Sequence, residues 1–147
     1  VSFDSRIGPL HVAIDDDERV VAVSFRPHGL READASHPAI VQLREYFDGK
    51  RTVFELDLAP RGTEFQRAVW DELLRVPYGA TVTYAEIAHR IGRPNAVRAV
   101  GAANGANPIA VIVPCHRVIG SNGTLTGYGG GIERKQWLLA HEGRRLF

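Results

Sequence analysis

The chain has one cysteine, Cys115, set in the stretch Ile112-Val113-Pro114-Cys115-His116-Arg117-Val118. A thiol attacks only as its thiolate, and a free thiol of pKa about 8.5 is ionised to a few per cent at neutral pH. A working nucleophile therefore needs a base or a cation close by, and His116 and Arg117 are covalent neighbours. Pro114 restricts the backbone just ahead of the sulfur, so the thiol is presented at a fixed angle. The product decides the kinetic class. An acyl-cysteine is a thioester that water opens, so a Cys-His hydrolase turns over. An alkyl-cysteine is a thioether with no carbonyl to attack, so a protein that accepts an alkyl group is consumed in one event. A lone cysteine also reads as a small buried hydrophobe.

Several elements must position this stretch. Partial apolar alternation predicts a β-hairpin from Val1 to Phe25, turning at Asp15-Asp16-Asp17-Glu18, and a helix from Pro38 to Phe47 stopped by Gly49. Val53 to Leu58 is a further strand candidate, and Leu58-Ala59-Pro60-Arg61-Gly62 is the expected boundary between a 1–60 scaffold and a 61–147 functional part. Thr63-Glu64-Phe65-Gln66 and Thr83-Tyr84-Ala85-Glu86 are capping boxes, each opening a helix. The second helix, the turn Gly92-Arg93-Pro94 and a helix from Asn95 to about Ala103 read as helix-turn-helix. A last helix is expected over Ile132 to His141, with Ile132, Leu138 and Leu139 inward and Gly143 as its stop.

Net charge is only +1, but it is unevenly spread. Residues 1–60 carry 7 basic against 11 acidic side chains, and residues 61–147 carry 11 against 6. The 46 residues from 87 to 132 hold no carboxylate yet include Arg90, Arg93, Arg98 and Arg117, as suits a surface that approaches phosphates. Nothing approaches a membrane-spanning run, no charged-then-apolar leader is present, and the chain opens on Val1 rather than Met, which suggests processing or a trimmed start. A soluble cytoplasmic protein is expected. Asn95 to Gly105 is thin in base-reading side chains but slim, being mostly Ala and Gly. It fits a shallow, nearly sequence-blind minor-groove contact better than major-groove readout, though an Ala-rich core helix has the same composition.

Pro114-Cys115-His116-Arg117-Val118 is accompanied, in order, by Thr83-Tyr84, Arg98-Ala99-Val100-Gly101, Asn107-Pro108, Gly127-Tyr128 and Leu138-Leu139-Ala140-His141-Glu142-Gly143. Over 61–147, and more weakly before that, the chain resembles the O6-alkylguanine-DNA alkyltransferases. The resemblance implies a ribonuclease-H-like α/β domain followed by a mainly α, winged-helix or helix-turn-helix domain. It also implies single-turnover repair of O6-alkylguanine, and of O4-alkylthymine, in double-stranded DNA.

The same resemblance implies that Cys115 is the acceptor, His116 takes its proton through a water, Glu142 orients the imidazole and Asn107 fixes the loop. DNA contacts fall to Tyr84, Arg98, Ala99, Ala102 and Ala103, with Arg98 filling the gap left by an extruded base and Tyr84 crowding the nucleotide. A phosphate-binding arginine and a half-buried tyrosine are the plainer readings of those two. Tyr84, Val113, Val118, Tyr128, Gly129 and Gly130 would line the pocket, with the Val113 and Cys115 carbonyls reading the guanine amine and Lys135 tying down the loop. Gly129 departs from the serine of animal members. No cofactor and no metal are implied, and a monomer is expected. Rivals are a lesion binder that does not repair, which would lack the cysteine, a helix-turn-helix regulator and a Cys-His hydrolase.

Overall fold

Three strands, not two, form at the N-terminus of the computed structural model, which describes residues 2–125 and 127–143. β1 (Ser2–Ser5), β2 (Gly8–Ile14) and β3 (Val20–Ser24) make an antiparallel meander in the order β1-β2-β3. The expected hairpin missed the first turn, where Ser5 Oγ donates to the Gly8 carbonyl at 2.6 Å and accepts from the Ile7 amide at 3.2 Å. The start of that hairpin at Val1 lies outside the described residues. α1 (Pro38–Phe47) packs Ile40, Leu43, Tyr46 and Phe47 into the core, with Pro38 in its first turn and His37 as its cap.

Val53 to Leu58 is not a strand. Gln42 on α1 holds the Glu55 backbone at both ends, donating to its carbonyl at 3.1 Å and accepting from its amide at 2.9 Å. Only its end meets the sheet: Leu58 bridges to Val20, whose amide donates to the Asp57 carbonyl at 2.9 Å. A side-chain amide thus satisfies backbone groups that a ladder would otherwise take. Pro108–Ile112 joins this first unit, which otherwise ends at Arg61, and Ile109 bridges to Val23. Val111 lies at φ 70°, with the Ile112 amide donating to the Ala110 carbonyl at 2.8 Å. Positive φ in a buried β-branched residue is a strained γ-turn.

The second unit comprises Gly62–Asn107 and the chain from Val113 onward. α2 (Glu64–Leu73) opens on the Thr63–Gln66 capping box and α3 (Tyr84–Arg90) on the Thr83–Glu86 box. Trp70 of α2 lies over Gly62, where any Cβ would come within 2.5 Å of the indole, so only glycine fits there. α4 runs Val97–Gly105, starting two residues later than the sequence pattern suggests and with no side-chain cap. Arg93 precedes a proline and is biased away from helix, and the Ala96 amide closes a turn onto the Arg93 carbonyl at 2.9 Å instead.

β4 (Val82–Thr83) and β5 (Val118–Ile119) pair in parallel, Val82 opposite Val118. α5 (Ile132–His141) buries Lys135, Leu138 and Leu139, while Ile132 is 38% exposed. The apolar stripe expected to begin at Ile132 begins at Leu138, nearly two turns later. Among the described residues no helix is long and apolar enough to cross a membrane.

Candidate active site

Cys115 opens a single 3-10 turn, Cys115–Arg117, and is buried together with His116 and Arg117. Pro114, at φ −82° and ψ 63°, centres an inverse γ-turn in which the Cys115 amide donates to the Val113 carbonyl at 2.8 Å. The sulfur is thereby held on a rigid corner rather than a loose loop. Burial pushes the thiol above its ordinary pKa, while a hydrogen bond from Asn107 and the Lys135 charge act to bring it down. Asn107 also donates through Nδ2 to the Val113 carbonyl at 2.9 Å, bracing both ends of the corner.

His116 is fully buried, and its Nε2 lies 2.8 Å from Glu142 Oε2. A carboxylate accepts only, so Nε2 carries the hydrogen and Nδ1 keeps a free lone pair. That Nδ1 is buried and has no hydrogen-bond partner among the described residues. Burial depresses the His116 pKa against the pull of Glu142. Glu142 caps the C-terminal end of α5, 26 residues beyond His116. Burial pushes its carboxyl up, but the hydrogen bonds from His116 and Arg117 outweigh that and hold it at about 2.

Arg117, expected with the arginines that face phosphates, is instead only 7% exposed. Its Nε and Nη2 grip Glu142 Oε1 and Oε2 at 2.7 and 3.0 Å, and Nη1 donates to the Val76 carbonyl at 2.7 Å. Its flat face stands over the Tyr78 ring, 5.8 Å from the centroid. An acid within reach of the arginine in Pro-Cys-His-Arg was the available signal, but a separation of 25 positions hid it.

Lys135 is fully buried and donates from Nζ to the Val118 carbonyl at 2.6 Å. Burial lowers its pKa to about 8, partly offset by the Cys115 charge. Tyr128 is half-buried, its hydroxyl has no partner among the described residues, and burial raises its pKa well above the ordinary value. Gly129 is exposed, and a Cβ there would meet nothing closer than the Gly105 carbonyl at 3.9 Å, so a serine would fit. Gly130 accepts from Arg134 at 3.1 Å. Val113 and Val118 are buried.

Arg98, Ala99 and Ala102 are exposed on α4, whereas Ala103 is not. It is 2% exposed, and its carbonyl accepts from Trp70 Nε1 at 2.8 Å, which turns it into the core and away from any surface contact. Tyr84, the first residue of α3, lays its ring across Gly101, 3.9 Å from where a Cβ would be. Asn104, absent from the expected site, is 3% exposed and donates to the Cys115 carbonyl at 3.3 Å.

Residues 64–144 match the family described as 6-O-methylguanine DNA methyltransferase, DNA binding domain, and residues 2–60 match its ribonuclease-like domain. A methylated-DNA–protein-cysteine methyltransferase of Mycolicibacterium paratuberculosis is 61% identical, over 97% of this chain and 91% of the relative. The crystal structure of the Mycobacterium tuberculosis O6-methylguanine methyltransferase superposes with a TM-score of 0.86 at 45% identity, covering 99% of this chain and 93% of that one. A second Mycobacterium tuberculosis structure, solved in complex with DNA, also gives 0.86, at 47% identity over 97% and 92% of the two chains. Two matched domains spanning nearly the whole chain, with relatives of this identity and coverage, place it: the chain belongs to the 6-O-methylguanine DNA methyltransferase family.

Proposed function

We propose that this protein repairs DNA directly, transferring an alkyl group from O6-alkylguanine, and from O4-alkylthymine, to Cys115. The observation that carries the reading is the buried thiol followed by an imidazole whose far nitrogen is fixed on Glu142 and whose near nitrogen is free. The thiol proton passes through a water to His116 Nδ1, and Glu142 stabilises the imidazolium that forms. Lys135 favours the thiolate. Sulfur then attacks the alkyl carbon, the carbon–O6 bond breaks, and the electron pair stays on the base, which recovers a proton from solvent. One S–H and one C–O bond become one S–C and one N–H bond, and the thioether is final.

The target carbon is stacked inside a duplex, so the nucleotide is extruded first. Arg98 fills the vacated gap, Ala99 and Ala102 let α4 lie in the minor groove, and Tyr84 crowds the turning nucleotide. Tyr128 stands against the extruded base with the Gly129 and Gly130 backbone near its O6. Residues 1–60 serve as scaffold and 61–147 bind DNA and react, as a cytoplasmic monomer.

Incubation with a duplex containing one O6-methylguanine, followed by intact mass and peptide mapping, should show a single added methyl, on Cys115. Several turnovers per molecule, or an unmodified Cys115, would sink the proposal and favour a hydrolase or a non-repairing lesion binder.

A further inference from the structure

Glu142 can orient His116 only while the end of α5 is itself held in place. The last carbonyls of a helix have no partner within it, so that end is where a helix is most easily displaced. Glu142 is the residue at which α5 stops, and its amide reaches back to the Leu138 carbonyl at 3.0 Å.

The turn that follows α2 meets this end. The Ala80 amide donates to the Pro77 carbonyl at 3.1 Å, and Gly79, at φ 84°, takes the left-handed position of the turn. Gly79 passes so close to α5 that a Cβ there would lie 3.2 Å from the Glu142 carbonyl oxygen. Tyr78, half-buried beside it, touches both supports of the carboxylate. Its hydroxyl donates to the His141 carbonyl at 3.2 Å, one residue before Glu142. Its ring lies under the Arg117 guanidinium, the fork that grips Glu142. Burial, and then the Glu142 charge, push the hydroxyl's pKa up against the Arg117 charge, so it remains a donor. Packing alone would be served by phenylalanine; the hydroxyl adds a hold on the helix end.

We infer that Tyr78 is a positioning residue for the transfer: by bracing the end of α5 and the Arg117 fork together, it keeps Glu142 Oε2 on His116 and so keeps Nδ1 able to draw the proton from Cys115. This rests on the alkyl-transfer reading above. The charges acting on His116 are Glu142, which makes it more basic, and Arg117 and Lys135, which oppose that. Letting Glu142 drift weakens the one favourable charge, so the thiol ionises at higher pH.

The test follows two rates from about pH 6 to 9.5 in wild type, Tyr78→Phe and Tyr78→Leu. One is single-turnover methyl transfer from a duplex containing O6-methylguanine. The other is labelling by iodoacetamide, which reports on Cys115 alone because the chain has no other thiol. Tyr78→Leu loses both contacts, so the midpoint of each profile should move up by about one pH unit, with transfer near pH 7 about tenfold slower and the rates converging at high pH. Tyr78→Phe keeps the stack on Arg117 and loses the hydroxyl, so it should move about half as far, with transfer about threefold slower. A purely structural tyrosine predicts a lower melting temperature with both midpoints unmoved. Unmoved midpoints in either folded variant overturn the inference. If Tyr78→Leu does not fold, Tyr78→Phe decides on the same criterion. No methyl on wild-type Cys115 overturns the transfer reading, and the labelling profiles then still decide whether Tyr78 governs the thiol.

Discussion

Arg117 turns every guanidinium nitrogen inward, two of them onto one carboxylate. The fork fixes Glu142 so that Oε2 faces His116, and it partly neutralises the charge that would otherwise make the imidazole more basic. Removing one partner of such a pair strands the other. Arg117→Met should therefore cost about 3–5 kcal/mol in urea denaturation and slow transfer from free O6-benzylguanine as well as from DNA. A loss below about 1 kcal/mol would mean that the pair is not a closed unit. The same carboxylate sets an acid limit. Its folded pKa of about 2 lies below the ordinary 4.5, so it contributes stability that is complete above 4.5 and lost as pH falls toward 2. Acid titration followed by circular dichroism should show wild type losing stability across that window. Arg117→Met, without the grip that lowers Glu142, should unfold at a higher pH than wild type.

At the scale of elements, the α3–α4 pair separates two roles for Arg98. If its side chain occupies the gap left by the base, Arg98→Ala should slow transfer from duplex DNA about five- to a hundredfold, from stacking losses of about 1–3 kcal/mol. Reaction with free O6-benzylguanine should stay near wild type. Arg98→Lys should rescue poorly, because an ammonium keeps the charge and lacks the flat surface. Full rescue by Lys at two salt concentrations would instead assign a phosphate contact. Both helices of the unit that open on capping boxes were legible in the sequence, because Thr63–Gln66 and Thr83–Glu86 each satisfy backbone donors within four residues. The strand expected at 53–58 was not, because Gln42, 13 residues away, supplies what a ladder would. The site divides the same way. The thiol and its base are adjacent in sequence, and Glu142 was placed only by resemblance. Arg117 needed coordinates, since a buried ion pair between distant residues leaves no local pattern.

Across the whole molecule the charge asymmetry has a measurable form. With Arg117 withdrawn, the carboxylate-free stretch offers Arg90, Arg93 and Arg98 to solvent, and Arg90 lies 3.9 Å from both Glu72 and Glu86. Fluorescence anisotropy on undamaged duplexes should give modest affinity, nearly independent of sequence, with log K falling against log salt at a slope of about −2 to −3. A strong preference for one undamaged sequence would point to a regulator. The Arg117 clamp also bears on when the centre comes into being. Its partners Val76 and Glu142 lie 41 and 25 residues away in opposite directions along the chain. Two large loops must close before one guanidinium can reach both, and closure entropy opposes each until α5 is in place. During synthesis the cysteine leaves the ribosome 27 residues ahead of Glu142. The emerging chain therefore carries a bare thiol of ordinary reactivity, and its commitment to a single alkyl group begins only when the last helix docks.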